Sequence, residues 1–280
     1  MTSLQSIQSE IRNQLPISNL VVTAPTGWGK STEIPRSFLN SHNVLMIEPR
    51  RIATKALAHR ISDLEQEPVG HRVGYSVRGE SCISPQTKLR IVTPGVAIRL
   101  FHTGQFQEYD IIIFDEIHER TLEQDLLLAL CMHIKKRVFL LSATIAAKSI
   151  AQKVDGQHIE IQGRTYPITL HYEQEKGVPR IDNIGVRIHS ALKKATWSKD
   201  ALVFLPGKGE INAVAHHLQS RLSSEYEVLM LHGGQTLKEQ SKIFSANTKR
   251  RVILSTNVAE TALTIPNIDL VIDSGLERRT

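Results

Sequence analysis

The stretch NLVVTAPTGWGKST, Asn19 to Thr32, runs an apolar β-rich segment straight into a loop of small residues that ends Gly-Lys-Ser. Asn19 to Thr23 reads as a buried strand. Ala24 to Thr32 follow the phosphate-loop pattern, with Ala24 in place of the usual first glycine, the spacers Pro25, Thr26, Gly27 and Trp28, then Gly29, Lys30, Ser31 and Thr32. The chemistry explains the spacing. Gly27 and Gly29 let backbone N–H groups turn inward around phosphate oxygens, Lys30 reaches the outer phosphates, and the Ser31 hydroxyl can hold Mg²⁺ at a helix start. Trp28 is unusual at a spacer position, and its ring either covers a hydrophobic edge or touches the nucleotide.

A second stretch, IIIFDEIHERTLEQD from Ile111 to Asp125, drives an apolar run into Asp115, Glu116, His118, Glu119 and Arg120. A strand that apolar is normally buried on both faces of a parallel sheet, so its charged end emerges at the carboxyl edge, where open α/β sheets bind ligands. Read alone, it is equally a strand ending in a solvated turn. The phosphate loop changes that reading, because phosphoryl transfer needs a partner carboxylate on a nearby strand. Asp115 suits the metal. Glu116 suits the attacking water, whose proton it can take. His118 is too far along to serve the metal as well and is expected to point towards a second lobe. Thr121 and Gln124 make a capping box for the leucine-rich helix that follows.

Short β-rich runs (NLVVTA, NVLMIEP, LRIVT, DIIIFDE, RVFLLSAT) alternate with helical segments such as RRIATKALAHRISDLEQ, which reads as βαβ units around a parallel sheet. Leu4, Ile7, Ile11 and Leu15 add an amphipathic helix at the N-terminus. Gly, Pro and charge interrupt the pattern in residues 162–180, and a domain boundary is expected near Gly163. Alternation then restarts with ALVFLP, VLMLHG, RVILST and DLVIDSG. The expected fold is α/β with two lobes, 1–163 and 164–280.

The 280 residues carry a formal charge of +6 and a pI near 9.3, a lean towards polyanionic partners. Cys82 and Cys131 sit in no metal-ligand or disulfide spacing, which fits a reducing cytosol. No run approaches the roughly 18 apolar residues of a membrane span. These features predict a cytoplasmic monomer with no membrane partner.

In order and spacing, APTGWGKST, IEPRRIAT, VTPG, DEIH, LSAT, LVFLPGKGEI and STNVAETALTIPNIDLVIDSG resemble motifs I, Ia, Ib, II, III, IV and V of superfamily 2 DEAH-box helicases. VGYSVRGESCISPQTKLRIVTPGVAIRL and the ending DSGLERR look closest to the bacterial HrpB type. The resemblance implies two RecA-like lobes and an ATP-dependent RNA helicase core using ATP and Mg²⁺. It implies that Lys30 and Ser31 bind triphosphate and metal, that Asp115 binds the metal and Glu116 the water, and that His118, Ser142 and Thr144 couple nucleotide state to lobe movement. Arg60 and Phe244 resemble the pair that sandwiches the adenine; by itself Phe244 also reads as a core aromatic. Single-stranded RNA, with DNA as the alternative, would meet Arg50, Arg51, Thr93 and Gly95 in the first lobe and Gly207, Lys208, Thr256 and Asn257 in the second. Such phosphate contacts position a strand without reading it. Arg50 and Arg51 also read as an ordinary solvated helix start.

Three positions depart from the family. Pro94 stands where an acid is usual, Gly79 where Phe is usual, and Pro266 where an acid follows LTI. The QRxGRxGR segment of motif VI does not occur in the 280 residues. The expectation is therefore a fragment or natural truncation whose second lobe stops before motif VI and whose hydrolysis is weak. Two rival readings are a non-catalytic nucleotide-gated RNA-binding module and a phosphate-loop motor acting on protein.

Overall fold

The computed structural model describes residues 19–25, 28–142, 147–161, 167–172, 183–235, 239–240, 242–244, 248–259, 265 and 267–276. The expected helix around Leu4 to Leu15 lies outside them, as do Thr26, Gly27, Thr144 and Pro266. The chain divides into two compact units, Met1–Pro167 and Ile168–Thr280. The sequence reading sets the division a few residues earlier, near Gly163.

The first unit is built on eight strands: β1 (Asn19–Thr23), β2 (Val44–Ile47), β3 (Val73–Val77), β4 (Glu80–Cys82), β5 (Leu89–Val92), β6 (Ile111–Phe114), β7 (Arg137–Ser142) and β8 (Gly156–Glu160). They line up as β4-β3-β5-β2-β6-β7-β1-β8. Every pairing is parallel except the β3–β4 hairpin. Runs such as Val44–Ile47 and Ile111–Phe114 are buried at every position, as strands covered on both faces must be. One face packs Leu20, Val22, Met46 and Ile113 under α1 (Lys30–Arg36) and α2 (Arg51–Leu64), through Ile34, Ala58 and Ile61. The other packs Val21, Leu45 and Ile112 under α3 (Pro94–His102), α4 (Leu122–His133) and α5 (Ala147–Lys153), through Ala97, Leu127 and Ala151. Phe38 and Phe139 meet at 5.5 Å and are fully buried, so truncating Phe139 to alanine would cost about 3–5 kcal/mol.

The topology places the site. From β1 the chain crosses to β2, three strands away on one side, whereas the chain leaving β7 reaches β8 on the other side of β1. The carboxyl end of β1 is therefore the switch point where connections leave in opposite directions, the place where open α/β sheets bind ligands.

The second unit holds four parallel strands, β9 (Asp200–Phe204), β10 (Tyr226–Leu231), β11 (Arg250–Ser255) and β12 (Ile268–Asp273), in the order β10-β11-β9-β12. α6 (Ile184–Lys194) and α7 (Lys208–Gln219) cover one face, packing Ile188, Leu192 and Val214 on Val203 and Leu254. At the amino-terminal edge Arg251 is clamped to Asp200 through Nε and Nη2, at 2.8 and 2.6 Å, with side chains 4% and 8% exposed.

Candidate nucleotide site and strand-contact edge

Lys30 opens α1 directly after Gly29, whose φ of +91° lies in the left-handed region that favours glycine. The Lys30 ammonium is buried and meets Glu116 Oε1 at 2.9 Å, with both side chains 7% exposed. Glu116 itself has φ 48°, a left-handed backbone that costs a non-glycine residue roughly 1–2 kcal/mol. Three bonds hold it there: the ion pair to Lys30, its own N–H donating to Asp115 Oδ1 at 3.0 Å, and its carbonyl accepting the Glu119 N–H at 2.9 Å. Asp115 is 1% exposed and accepts from the Ser31 hydroxyl. Burial first, and then repulsion from Glu116, raise its carboxyl to about 6, although Lys30 and the two hydrogen bonds pull the other way. The phosphate-loop residues and the acidic pair thus converge although 84 residues separate Ser31 from Asp115.

Two further side chains belong to this cluster. Glu48, at the end of β2 and 1% exposed, is pushed well above the usual carboxylate range by burial and then by Asp115, while its Oε1 accepts the Arg50 N–H at 3.0 Å. Its signal is the one that exposes Asp115, an acid closing an apolar strand, here in VLMIE. Gln124 is fully buried. Thr121 Oγ1 accepts its N–H at 3.2 Å, as a capping box requires, but the Gln124 amide donates to the Asp115 carbonyl at 2.9 Å instead of completing the box. The helix cap therefore also pins the turn that carries the acids.

His118 lies closer to this cluster than its spacing suggests. Its Nδ1 sits 3.3 Å from Glu116 Oε2 in geometry that forms no hydrogen bond, and among the described residues this buried atom has no hydrogen-bond partner. Trp28 packs on the core beneath α1, the hydrophobic-edge alternative of the two readings. Ala24 and Pro25 continue β1, Ala24 N–H donating to Ser142 O at 3.4 Å and Pro25 O accepting from Trp28 N–H at 3.3 Å; Ser142 closes β7 and is 1% exposed. Thr32 Oγ1 donates to Gly29 O at 2.9 Å, closing the loop on itself. Arg60 is on the exposed face of α2. Phe244 ends a 3₁₀ turn, Lys242–Phe244, and its side chain lies outside the described residues.

The remaining first-unit residues lie along the same sheet edge, over β3, β5 and β2. Arg50 caps α2 and its Nη2 reaches Glu119 Oε1 at 3.2 Å; Arg51 is exposed and donates to Arg78 O at 3.0 Å. Thr93 caps α3 ahead of Pro94 and the exposed Gly95. From β5 to β1 is four strand spacings, about 19 Å at ~4.8 Å each. In the second unit, Gly207 and the exposed Lys208 begin α7 after β9, and Thr256 and Asn257 follow β11. These four therefore share the carboxyl edge of two neighbouring strands.

A parallel sheet flanked by helices, with a phosphate-loop lysine buried against an acid pair two strands away, defines a RecA-like phosphate-loop NTPase fold. The chain belongs to the DEAD/DEAH box helicase family, whose model matches residues 5–152, while the helicase conserved C-terminal domain matches residues 186–280. It is 34% identical over 273 residues to the ATP-dependent RNA helicase HrpB of Escherichia coli strain K12, across 92% of this chain and 34% of that protein. It is 35% identical over 277 residues to the ATP-dependent RNA helicase HrpA of Borreliella burgdorferi, across 91% of this chain and 33% of that protein. The crystal structure of Escherichia coli DEAH/RHA helicase HrpB matches with a TM-score of 0.88 at 32% identity, covering 100% of this chain and 37% of that one. The chain spans between 22% and 42% of the length of the curated relatives it matches. Among the described residues, no helix is long and apolar enough to cross a membrane.

Proposed function

We propose that these residues form the nucleotide-driven core of an ATP-dependent RNA helicase of HrpB type. The observation that carries the reading is the buried Lys30–Glu116 pair beside Asp115 and Ser31. A buried cation neutralises one of two adjacent acids, and a triphosphate competes with that acid for the ammonium. Lys30 then holds the outer phosphates, and Glu116 Oε1 is released to orient a water and accept its proton as the water oxygen bonds to the γ-phosphorus and the bond to ADP breaks.

The site fits Mg²⁺. Asp115 and the Ser31 hydroxyl hydrogen-bonded to it are the donors, and the Asp115 carboxyl, raised first by burial and then by the neighbouring Glu116, is a charge that a cation would stabilise. Among the described residues no three His, Cys, Asp or Glu side chains form a self-sufficient metal cluster. Mg²⁺ held by one carboxylate, a hydroxyl and substrate phosphates needs none. When bound, the metal would neutralise charge on the phosphate oxygens.

Single-stranded RNA is the proposed track, met at Arg50, Arg51, Thr93 and Gly95 and at Gly207, Lys208, Thr256 and Asn257, with Arg60 and Phe244 stacking on the base of ATP and His118, Ser142 and Thr144 linking the two events. The contacts to phosphate make binding salt-dependent. For the 280 residues alone we propose slow turnover, since arginines meeting the transferring phosphate are worth about 10³ to 10⁵ in related NTPases and no QRxGRxGR segment occurs in the sequence. ATP hydrolysis measured with and without single-stranded RNA is the test. Stimulation by RNA supports the helicase core, nucleotide and RNA binding without turnover would make it a gated binding module, and ATP turnover indifferent to RNA would overturn the reading.

A further inference from the structure

The four strands of the second unit run parallel and so start together, at an edge opposite the one that holds Lys208 and Thr256. Lys199 stands just before β9, Lys249 and Arg250 at the start of β11, and Tyr226 at the start of β10, paired with Arg250. α6 ends at the same place: the Trp197 indole N–H donates to the Leu192 carbonyl at 2.9 Å, which ties the ring to the last helical turn and its Lys193 and Lys194. All five cations are exposed. β11 is six residues long, so at ~3.3 Å per residue this edge lies about 20 Å from the carboxyl edge.

Arg250 is held by its neighbours. Its guanidinium carbon stands 5.9 Å from the Trp197 ring centroid and 5.7 Å from that of Tyr226, the two rings are 5.4 Å apart, and Nη1 donates to the Trp197 carbonyl at 3.3 Å. The acids of this edge are largely engaged. Asp200 is taken by the buried Arg251, and Asp269 accepts from the Ser198 N–H and hydroxyl and the Lys199 N–H at 2.9 to 3.1 Å. Glu225 and Glu227, on either side of Tyr226, leave the cations in excess.

A compact anion is held by groups that converge on it. These cations are instead distributed over two strand starts and a helix end, which suits a chain of singly charged phosphates. An arginine plane standing on aromatic rings also offers a face on which a base stacks, a surface that an acidic polypeptide does not use. We propose that the amino-terminal edge of the second unit is a second RNA-binding surface, which holds a further segment of single-stranded RNA through its phosphates and one base against Arg250. The inference takes its ligand class from the RNA reading above and adds to it a surface apart from the strand-contact edge.

A labelled uridine oligonucleotide of about five nucleotides, titrated without ATP against the Trp28→Phe chain, tests it through the anisotropy of the label and the emission of Trp197, then the sole tryptophan. Two oligonucleotides should bind per chain, one of them quenching Trp197. Lys199→Glu together with Arg250→Glu, with folding checked by circular dichroism, should weaken the quenching step at least about tenfold and leave the other within about twofold. Arg51→Ala together with Lys208→Ala should do the reverse. Binding that leaves Trp197 emission unchanged, or a quenching step that survives the charge reversal, would overturn the second surface while the strand-contact edge stands. A single quenching step indifferent to Arg51→Ala and Lys208→Ala would remove the strand-contact edge and keep this one. Quenching by polyglutamate as strong as by RNA would overturn the proposal in favour of an acidic protein segment, and failure to bind any oligonucleotide would remove both surfaces.

Discussion

Asp115→Asn removes one charge and almost no volume from a position that is 1% exposed. An acid whose pKa is raised by folding holds its proton more tightly in the folded chain, so its contribution is fully present below the unfolded value and is lost as the pH rises through the folded one. For Asp115 those values are 3.8 and about 6. At about 1.4 kcal/mol per pKa unit, the ionised carboxylate withdraws about 3 kcal/mol from the folded first unit above pH 6. Asparagine has no proton to lose, and its Oδ1 can keep the bond from Glu116 N–H that Asp115 accepts at 3.0 Å. The variant should therefore be more stable, by about 1 kcal/mol at pH 4.5 and about 3 kcal/mol at pH 8. Urea unfolding in metal- and nucleotide-free buffer, followed by Trp28 fluorescence in a Trp197→Phe background, reads the first unit by itself. Mg²⁺ should raise the stability of the parent and leave that of the variant unchanged. A variant no more stable than the parent at pH 8, or a difference independent of pH, would refute the claim that this acid is held at an energetic cost for the sake of the site.

Lys30→Met leaves Asp115 and Glu116 without their buried cation and should cost about 3–5 kcal/mol at pH 8 along with tight ATP binding; Glu116→Gln should retain ATP binding and lose hydrolysis. Parent-rate turnover by Glu116→Gln would contradict the assignment of the water-activating acid. GTP should compete with ATP within roughly tenfold, about 1.4 kcal/mol, because stacking by Arg60 and Phe244 reads little of the base edge; strict ATP selectivity in a competition titration would count against that pair. In the second unit, the His189 and His217 rings meet at 6.1 Å with both Nε2 atoms buried and unpartnered among the described residues, and burial, then neighbouring cations, lower both pKa values below 6.5. Their contribution to stability is present above the unfolded value near 6.5 and is lost as the pH falls through the lowered folded values, so thermal unfolding of this unit should weaken below pH ~6.5. A profile unchanged by His189→Leu between pH 5 and 7 would show that the pair does not control it.

The strands legible in the sequence are the apolar runs: β1, β2, β5, β6, β7, β9 and β11, which are buried almost throughout, and β10 and β12, whose apolar residues are legible although the strands are half-buried or exposed along most of their length. The β3–β4 hairpin is not, because VGYSV carries Gly74 and ESC is three residues long. Yet Gly74 is what permits the pairing, since a Cβ there would collide with the Cys82 carbonyl oxygen of β4. β8 is hidden differently. GQHIE is a polar edge strand, and it is held by tertiary bonds that spacing cannot announce, Asn19 Nδ2 to Val154 O at 2.7 Å and Thr23 Oγ1 to His158 Nε2 at 2.8 Å. Lys30 and Ser31 are legible through the phosphate-loop spacing that follows β1, and Asp115 and Glu116 because they close the apolar strand β6. The same rule reaches Glu48, but the basic residues of IEPRR direct attention to phosphate contacts and away from the acid before them.

Glu48 also shows why motif order along the chain is a poor guide to how the parts communicate. In the sheet, β6 with the acid pair lies beside β2, and the Asp115 N–H donates to the Ile47 carbonyl at 2.9 Å. Glu48 therefore sits on the boundary between the two halves of one sheet edge, the nucleotide half over β6, β7 and β1 and the strand-contact half over β2, β5 and β3. Its carboxylate accepts the Arg50 N–H, the Arg50 guanidinium reaches Glu119, and the Glu119 N–H donates to the Glu116 carbonyl at 2.9 Å. On the reading proposed above, a phosphate that drew the Arg50 guanidinium away from Glu119 would act on the turn that carries Glu116, the acid assigned to the water, and a double-mutant comparison of Arg50→Ala and Glu119→Ala on RNA-stimulated turnover would test that link. On that proposal, the charge that makes this corner costly to fold is also what would let a polyanion at one half of the edge be felt at the other.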